Sequence, residues 1–365
     1  MVEQPLLTPF HSDKLNLRNR VVMAPMTRSR ADNSGAVPND LMMNYYDQRA
    51  SAGLIVTEGT YVNREAAGYI NVPGIYTPEQ VAGWQKITSA QHQLGGQLFV
   101  QLWHVGRMSH PDLLDGALPL APSAIDPHEK VYTPTGFKDT VTPRAMTLEE
   151  IKYTVADFAT AAQNALAAGF DGMEVHAANG YLFQQFFNGT SNHRTDEYGG
   201  SIENRARILF DVLDAIKAAG VDLSKVGVRL NPSLEGPFGT TMDEETIPTF
   251  DYIVKRLNDY NLAYLHLCEP FTDVSKIPFA EPHIAKHYRP LYQGTLIINA
   301  GMTQEKGNQV IADGDADLVA FGTLYISNPD LVERFAQNAP LAPSDKDTYY
   351  SPGAKGYTDY PKLNT

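Results

Sequence analysis

Eight short apolar runs recur along this chain: RVVMAP (20–25), LIVTEG (54–59), LFVQLW (98–103), DGMEVH (171–176), VGVRLN (226–231), AYLHLC (263–268), TLIINAG (295–301) and ADLVAFG (316–322). They are nearly continuously apolar rather than alternating. That is the pattern of parallel strands covered on both faces. Between them the apolar positions change to helical spacing. In TLEEIKYTVADFATAAQNALAAG (147–169), Ile151, Val155, Phe158, Ala162 and Leu166 form one stripe. Thr147 and Glu150 have capping-box spacing, and Gly169 stands where a helix-ending glycine belongs. Further helices are predicted over about 201–219 and after Asp243, Thr303 and Asn328. Strands alternating with helices over 365 residues predict an α/β fold, a single (β/α)8 barrel spanning residues 1–365. A doubly wound open sheet has the same alternation, and spacing alone leaves it open.

Two segments break the rhythm. Residues 105–146 are rich in Pro and Gly and too long for a simple strand-to-helix loop, so they predict an excursion with a small hairpin above the third strand. The tail 340–365 carries Tyr349, Tyr350, Tyr357 and Tyr360, whose apolar area predicts a packed segment.

Composition narrows the partners. Net charge is −13, from 29 basic and 42 acidic residues, which disfavours nucleic acid and anionic membranes. Cys268 is the single cysteine, so no internal disulfide forms. The start, MVEQPLLTPF, lacks a signal-peptide pattern, and no apolar run approaches the roughly 20 residues of a membrane span. The expectation is a soluble cytoplasmic protein, monomer or homodimer.

In such a barrel the site lies at the C-terminal ends of the strands. Reading those ends gives Thr27, Gly59, Gln101 with Trp103, His176, Arg229, Glu269, Gly301 and Gly322. A charge in VGVRLN is costly without a partner, so Arg229 faces a ligand or pairs with Glu174 or Glu269. Gln101 and Trp103 share a face by alternation, either as ligand contacts or as a satisfied amide beside a packed indole. His104 has no second ligand at metal spacing and reads as structural; no metal is expected. Gly301 and Gly322 follow the seventh and eighth strands, where barrel loops present backbone N–H groups to phosphate. No Walker or GxGxxG fingerprint is present. An arginine and a glutamine for a flat polar ring, with two glycines for its phosphate, together describe flavin mononucleotide across the barrel mouth. An aldolase- or hydrolase-type barrel would need a lysine or carboxylate pair instead, for which Glu58 and Glu269 are the available acids. A non-catalytic flavin or small-molecule binder would share the fold.

The stretch HAANGYLFQQFFNGTSNHRTDEYGGSIENRARILFDVL (176–213) resembles the signature of the Old Yellow Enzyme family of FMN-dependent ene-reductases. RVVMAPMTRSRA, QLWHVGRMSHP, NPDLVERF and GAKGYTDYP resemble further blocks of that family, in particular of its N-ethylmaleimide reductase and pentaerythritol tetranitrate reductase types. The resemblance implies a barrel holding FMN at its mouth, reduced by NADPH or NADH and reoxidised by an electron-poor alkene. It implies that Pro25 and Met26 lie against the flavin, that Thr27 contacts O4, and that Gly59 is a small position beside the ring. It gives Gln101 and Arg229 to the pyrimidine edge. It gives His176 and Asn179 to the substrate oxygen, Tyr181 to proton donation, and Tyr69, Trp103 and Tyr350 to the substrate space. Asn192, Arg194 and Asp196 are implied to be structural. Apart from the resemblance, the loop EGPFGTTMDEET (235–246) is expected to cap the site. One departure stands out. The family usually carries arginine after the glycine of the eighth strand, on the FMN phosphate; this chain has Thr323 in FGTLYISNPDL. A charge-assisted bond is lost there, so weaker FMN retention is expected.

Overall fold

A computed structural model describes residues 4–363. Eight parallel strands close into a barrel: β1 (Val21–Met23), β2 (Leu54–Tyr61), β3 (Leu98–Trp103), β4 (Gly172–His176), β5 (Val226–Leu230), β6 (Tyr264–Cys268), β7 (Leu296–Asn299) and β8 (Leu318–Phe321). Each strand pairs with its neighbours in chain order, and β8 closes on β1. The closed ring decides between the two α/β architectures that spacing left open. All eight apolar runs are strands, and β1 is the most trimmed, ending four residues before Thr27.

The helices dock on the outside. Leu148–Ala167 begins with the Thr147–Glu150 capping box and ends ahead of Gly169, whose φ of +82° suits only glycine well. Its buried stripe includes Ile151, Phe158 and Ala162, with Val155 and Leu166 at the half-buried margin. Ile202–Ala218, Thr246–Leu257, Gln304–Ala312 and Leu331–Gln337 occupy the other expected places.

The barrel interior is filled by alternate positions along each strand. Val22, Leu54, Val56, Phe99, Tyr264, Ile297, Leu318 and Ala320 form an inner apolar cluster. Phe10, Leu15 and Leu17 join it from an N-terminal ribbon, Phe10–His11 paired with Asn16–Leu17, which stops the barrel from below. Above this cluster the same alternation brings polar residues inward.

In the excursion, Lys130–Thr133 pairs antiparallel with Gly136–Asp139, and Leu120–Ala121 lies beside Arg144–Ala145. Arg194 ties the excursion to the segment after β4. It donates to the Pro122 and Met146 carbonyls and pairs with Asp196. The tail is held by arginines rather than by all four of its tyrosines. Tyr357 is fully buried, stacked on Tyr45 at 4.0 Å, while Tyr350 is exposed. No helix among the described residues is long and apolar enough to cross a membrane.

Candidate active site

A cavity of about 490 Å³ opens at the C-terminal mouth, within the range of roughly 300–1,000 Å³ usual for small-molecule sites. Its walls include Pro25, Met26, Thr27, Arg229, Asn299, Gly301, Gly322, Thr323 and Tyr350. These come from the ends of β1, β5, β7 and β8 and from the tail, so residues far apart in sequence meet only because the barrel closes.

Arg229 is buried in this wall. Nη2 donates to Asn299 Oδ1 at 3.0 Å and to Cys268 Sγ at 3.4 Å, while Nε has no partner among the described residues. Neither acid considered for it pairs with it. Glu174 accepts from Gln101 Nε2 at 2.8 Å and lies 2.8 Å from His266 Nδ1. Glu269 accepts the backbone N–H groups of Ile284 and Ala285. Burial opposes the Arg229 charge, but the Cys268 sulfur and the Glu174 carboxylate outweigh it and hold the guanidinium above its usual pKa. Burial likewise works against the Glu174 charge, yet His266 and Arg229 bring that carboxyl below its usual value. Burial keeps His266 neutral despite Glu174, so the contact is a hydrogen bond to a carboxylate.

His176 is the register partner of Arg229. Its Nδ1 is buried with no partner among the described residues, and burial, then Arg229, lowers its pKa to about 3. The ring is therefore neutral at physiological pH and has one N–H to give. Asn179 follows in a left-handed conformation, φ +59°, and Gly180 after it has φ +72°. The turn aims Asn179 back at Asn231, whose Nδ2 donates to Asn179 Oδ1 at 2.9 Å. With that oxygen occupied, Asn179 keeps its NH2 group for another acceptor. Tyr181 begins the helix Leu182–Phe187 and lies 3.0 Å from the Tyr69 hydroxyl. Burial pushes both phenols up, Tyr69 to about 12 and Tyr181 further, so both stay protonated. Trp103 stacks on Tyr69 at 5.4 Å and meets Tyr181 edge-on at 4.9 Å, with its indole N–H also unpartnered. Phe238, from the segment after β5, sits 5.3 Å from the Tyr181 ring, as a cap would.

Several expected positions differ in detail. Gln101 spends its amide N–H on Glu174, inside the barrel. Gly59 is not among the cavity's lining residues, and neither are Tyr69, Gln101, Trp103, His176, Asn179 and Tyr181; His176 adjoins the cavity through its register partner Arg229. A Cβ at Gly59 would come within 2.4 Å of the Trp103 indole, so its smallness lets Trp103 pack. Sequence reading did not single out Asn231, Asn299, His266 or Cys268 as partners in the site. The inward phase of β6 and β7 was the available signal for the last three. His104 is fully buried, with Nδ1 accepting from the Gly106 N–H and its pKa lowered to about 3 by burial. Among the described residues no cluster of His, Cys, Asp or Glu could hold a metal.

The chemistry of these walls fits a flavin. Arg229 Nε is a buried donor left without a partner among the described residues; a side chain built on Gly301 would enter open space, and one on Gly322 would meet only Met26 and Ala24, at 3.7 Å or more. The set thus defines a barrel whose mouth offers donors and aromatic faces to a planar, anion-accepting ring, the class of flavin oxidoreductases. The family model described as "NADH:flavin oxidoreductase / NADH oxidase family" matches residues 5–342. Rice 12-oxophytodienoate reductase 1 is 41% identical over 363 residues, 98% of this chain and 93% of the rice protein. Morphinone reductase superposes with a TM-score of 0.92 at 43% identity, covering 100% of this chain and 98% of its own. The Old Yellow Enzyme homologue of Zymomonas mobilis does so at 0.91 and 39%, covering 98% and 99%. The chain belongs to this family, the Old Yellow Enzymes, and is an NAD(P)H-dependent flavin oxidoreductase.

Proposed function

We propose that this protein reduces the C=C bond of activated alkenes, such as α,β-unsaturated carbonyls, maleimides and nitroalkenes, and that nitrate esters or nitroaromatics fall within its reach. NADPH or NADH and the alkene use one site in turn. The observation that carries this reading is a convergence. The neutral His176 ring with its unpartnered Nδ1, the free amide of Asn179 and the Tyr181 phenol stand together beside Arg229. A solved complex of morphinone reductase with tetrahydroNAD supports a nicotinamide donor in this fold.

FMN, held by Pro25, Met26, Thr27, Arg229, Gly301, Gly322 and Thr323, would supply the hydride delivered to the alkene Cβ. His176 and Asn179 hold the substrate's carbonyl or nitro oxygen. They donate to it as charge builds there, and fixed donors aimed at developing charge lower the barrier. Tyr181 gives its proton to Cα, and the Tyr69 hydroxyl, 3.0 Å away, donates to the phenolate left behind. Trp103 and Tyr69 offer aromatic faces beside Tyr181, and Tyr350 lines the cavity from the tail. The aldolase- or hydrolase-type alternative loses its acids: Glu58 bonds Tyr46 in the helical layer, and Glu269 is spent on backbone N–H groups.

The test is an absorbance spectrum of the fresh protein, repeated after NADPH without oxygen and again after an enone. A flavin band that bleaches and then returns is expected. A flavin-free protein that also fails to take up added FMN would reject the reading.

A further inference from the structure

Two polar side chains that the reading above leaves unused, Asn299 and Cys268, hold Arg229 beside the cavity. Asn299 ends β7 and lines the cavity with Arg229 of β5; Cys268 ends β6. Asn299 Oδ1 accepts from Arg229 Nη2 at 3.0 Å and from the Cys268 thiol at 3.1 Å, and Nη2 also reaches the sulfur at 3.4 Å. All three side chains are buried. No carboxylate joins them, because Glu174 serves Gln101 and His266, and Glu269 serves the backbone. The guanidinium is thus fastened by two neutral acceptors at one nitrogen, and Nε is left without a partner among the described residues.

The choice of acceptor has a physical consequence. A neutral amide fixes the plane of the fork and leaves its charge whole. A carboxylate in the same place would fix it and cancel the charge. An apolar residue would do neither.

The geometry points to Asn299, assisted by Cys268, as a positioning residue that aims the Arg229 charge at the bound flavin without adding a counter-charge of its own, and so sets how readily the flavin accepts negative charge. This rests on the proposed seat of FMN in the cavity.

Sulfite is the probe. Its sulfur lone pair forms a bond to flavin N5, and the displaced electron pair moves to the N1–C2–O2 edge, leaving an anion there without any turnover. The FMN-loaded full chain is compared with Asn299→Asp, Asn299→Leu and Cys268→Val. Bound FMN per chain and thermal midpoints are recorded beside each titration. Asn299→Asp is expected to raise the sulfite dissociation constant at least tenfold while keeping its FMN, Asn299→Leu about threefold or more, and Cys268→Val less. The flavin midpoint potential should fall in the same order. A sulfite constant within twofold of wild type in FMN-loaded Asn299→Asp would overturn the proposal. Loss of FMN from folded Asn299→Asp and Asn299→Leu would overturn it too, since Asn299 would then serve binding rather than positioning. Wild-type protein that takes up no FMN would instead remove the proposed function itself.

Discussion

Two sets of buried arginines border the same barrel mouth, and their hydrogen bonding differs. Arg28 donates to Tyr45 Oη and to the Tyr349 and Gly356 carbonyls. Arg30 donates to the carbonyls of Arg28, Thr348, Tyr349, Gly353 and Lys355. Tyr357 packs against both guanidinium groups, 5.1 and 4.6 Å from ring centre to Cζ. Every nitrogen there has a protein partner, and the result is a clamp on the C-terminal tail. Arg229 has neutral partners on one nitrogen and a buried Nε with none among the described residues. An unmet buried donor costs free energy unless something fills the place. The saturated pair reads as architecture, and the unsaturated residue as a seat for a ligand.

The widest separation between the regions should appear on truncation. Arg229→Met is expected to lower alkene reduction at least a hundredfold, about 2.7 kcal/mol, with little change in folding stability. Arg30→Met strands several carbonyls, and its urea midpoint should fall by the equivalent of about 3–5 kcal/mol. Equal stability losses in the two variants would erase the distinction.

On the donor side, His176→Ala with Asn179→Ala should weaken phenol binding to the oxidised flavin at least tenfold, read by spectral titration. Because His176 stays neutral down to about pH 3, phenol affinity of the wild type should show no histidine titration between pH 5 and 8. A step near pH 6.5 would place the ring in a wetter setting than the structure shows.

The clamp has a titrating neighbour. Glu58 is fully enclosed, and burial raises its pKa from 4.5 to about 7 against the pull of Tyr46, Arg28 and Arg30. A raised folded pKa favours the folded state fully below pH 4.5, and that contribution is lost as pH rises through about 7. The shift corresponds to about 3 kcal/mol. Glu58→Gln should therefore gain stability over wild type at pH 8 and lose that advantage at pH 5, by denaturant midpoints. A pH-independent difference would mean that the neighbouring arginines hold Glu58 ionised throughout.

A further prediction concerns the missing cation after β8. Thr323→Arg should tighten FMN binding by about 1.5–3 kcal/mol and make it more salt-sensitive, measured by flavin fluorescence quenching on the apoprotein. Equal FMN constants would show that backbone groups alone satisfy the phosphate.

The strand count, the cap at Thr147 and the turn glycines are written in local spacing, because apolar period and capping depend on residues within a few positions of one another. The same holds for the order His176, Asn179, Tyr181 on one turn. Their significance became readable beside a long family motif, not from the histidine alone. What local spacing could not decide was partnership. Arg229 had Glu174 and Glu269 as candidate counterions, and barrel closure gave it Asn299 and Cys268 instead. Gly59 was a small residue near a ring, and the ring it clears is that of Trp103. The arginine clamp joins residues more than 300 positions apart. Which buried polar atoms find partners, and which stay open for a ligand, follows from neighbours across the barrel, and only the closed tertiary structure brings those neighbours together.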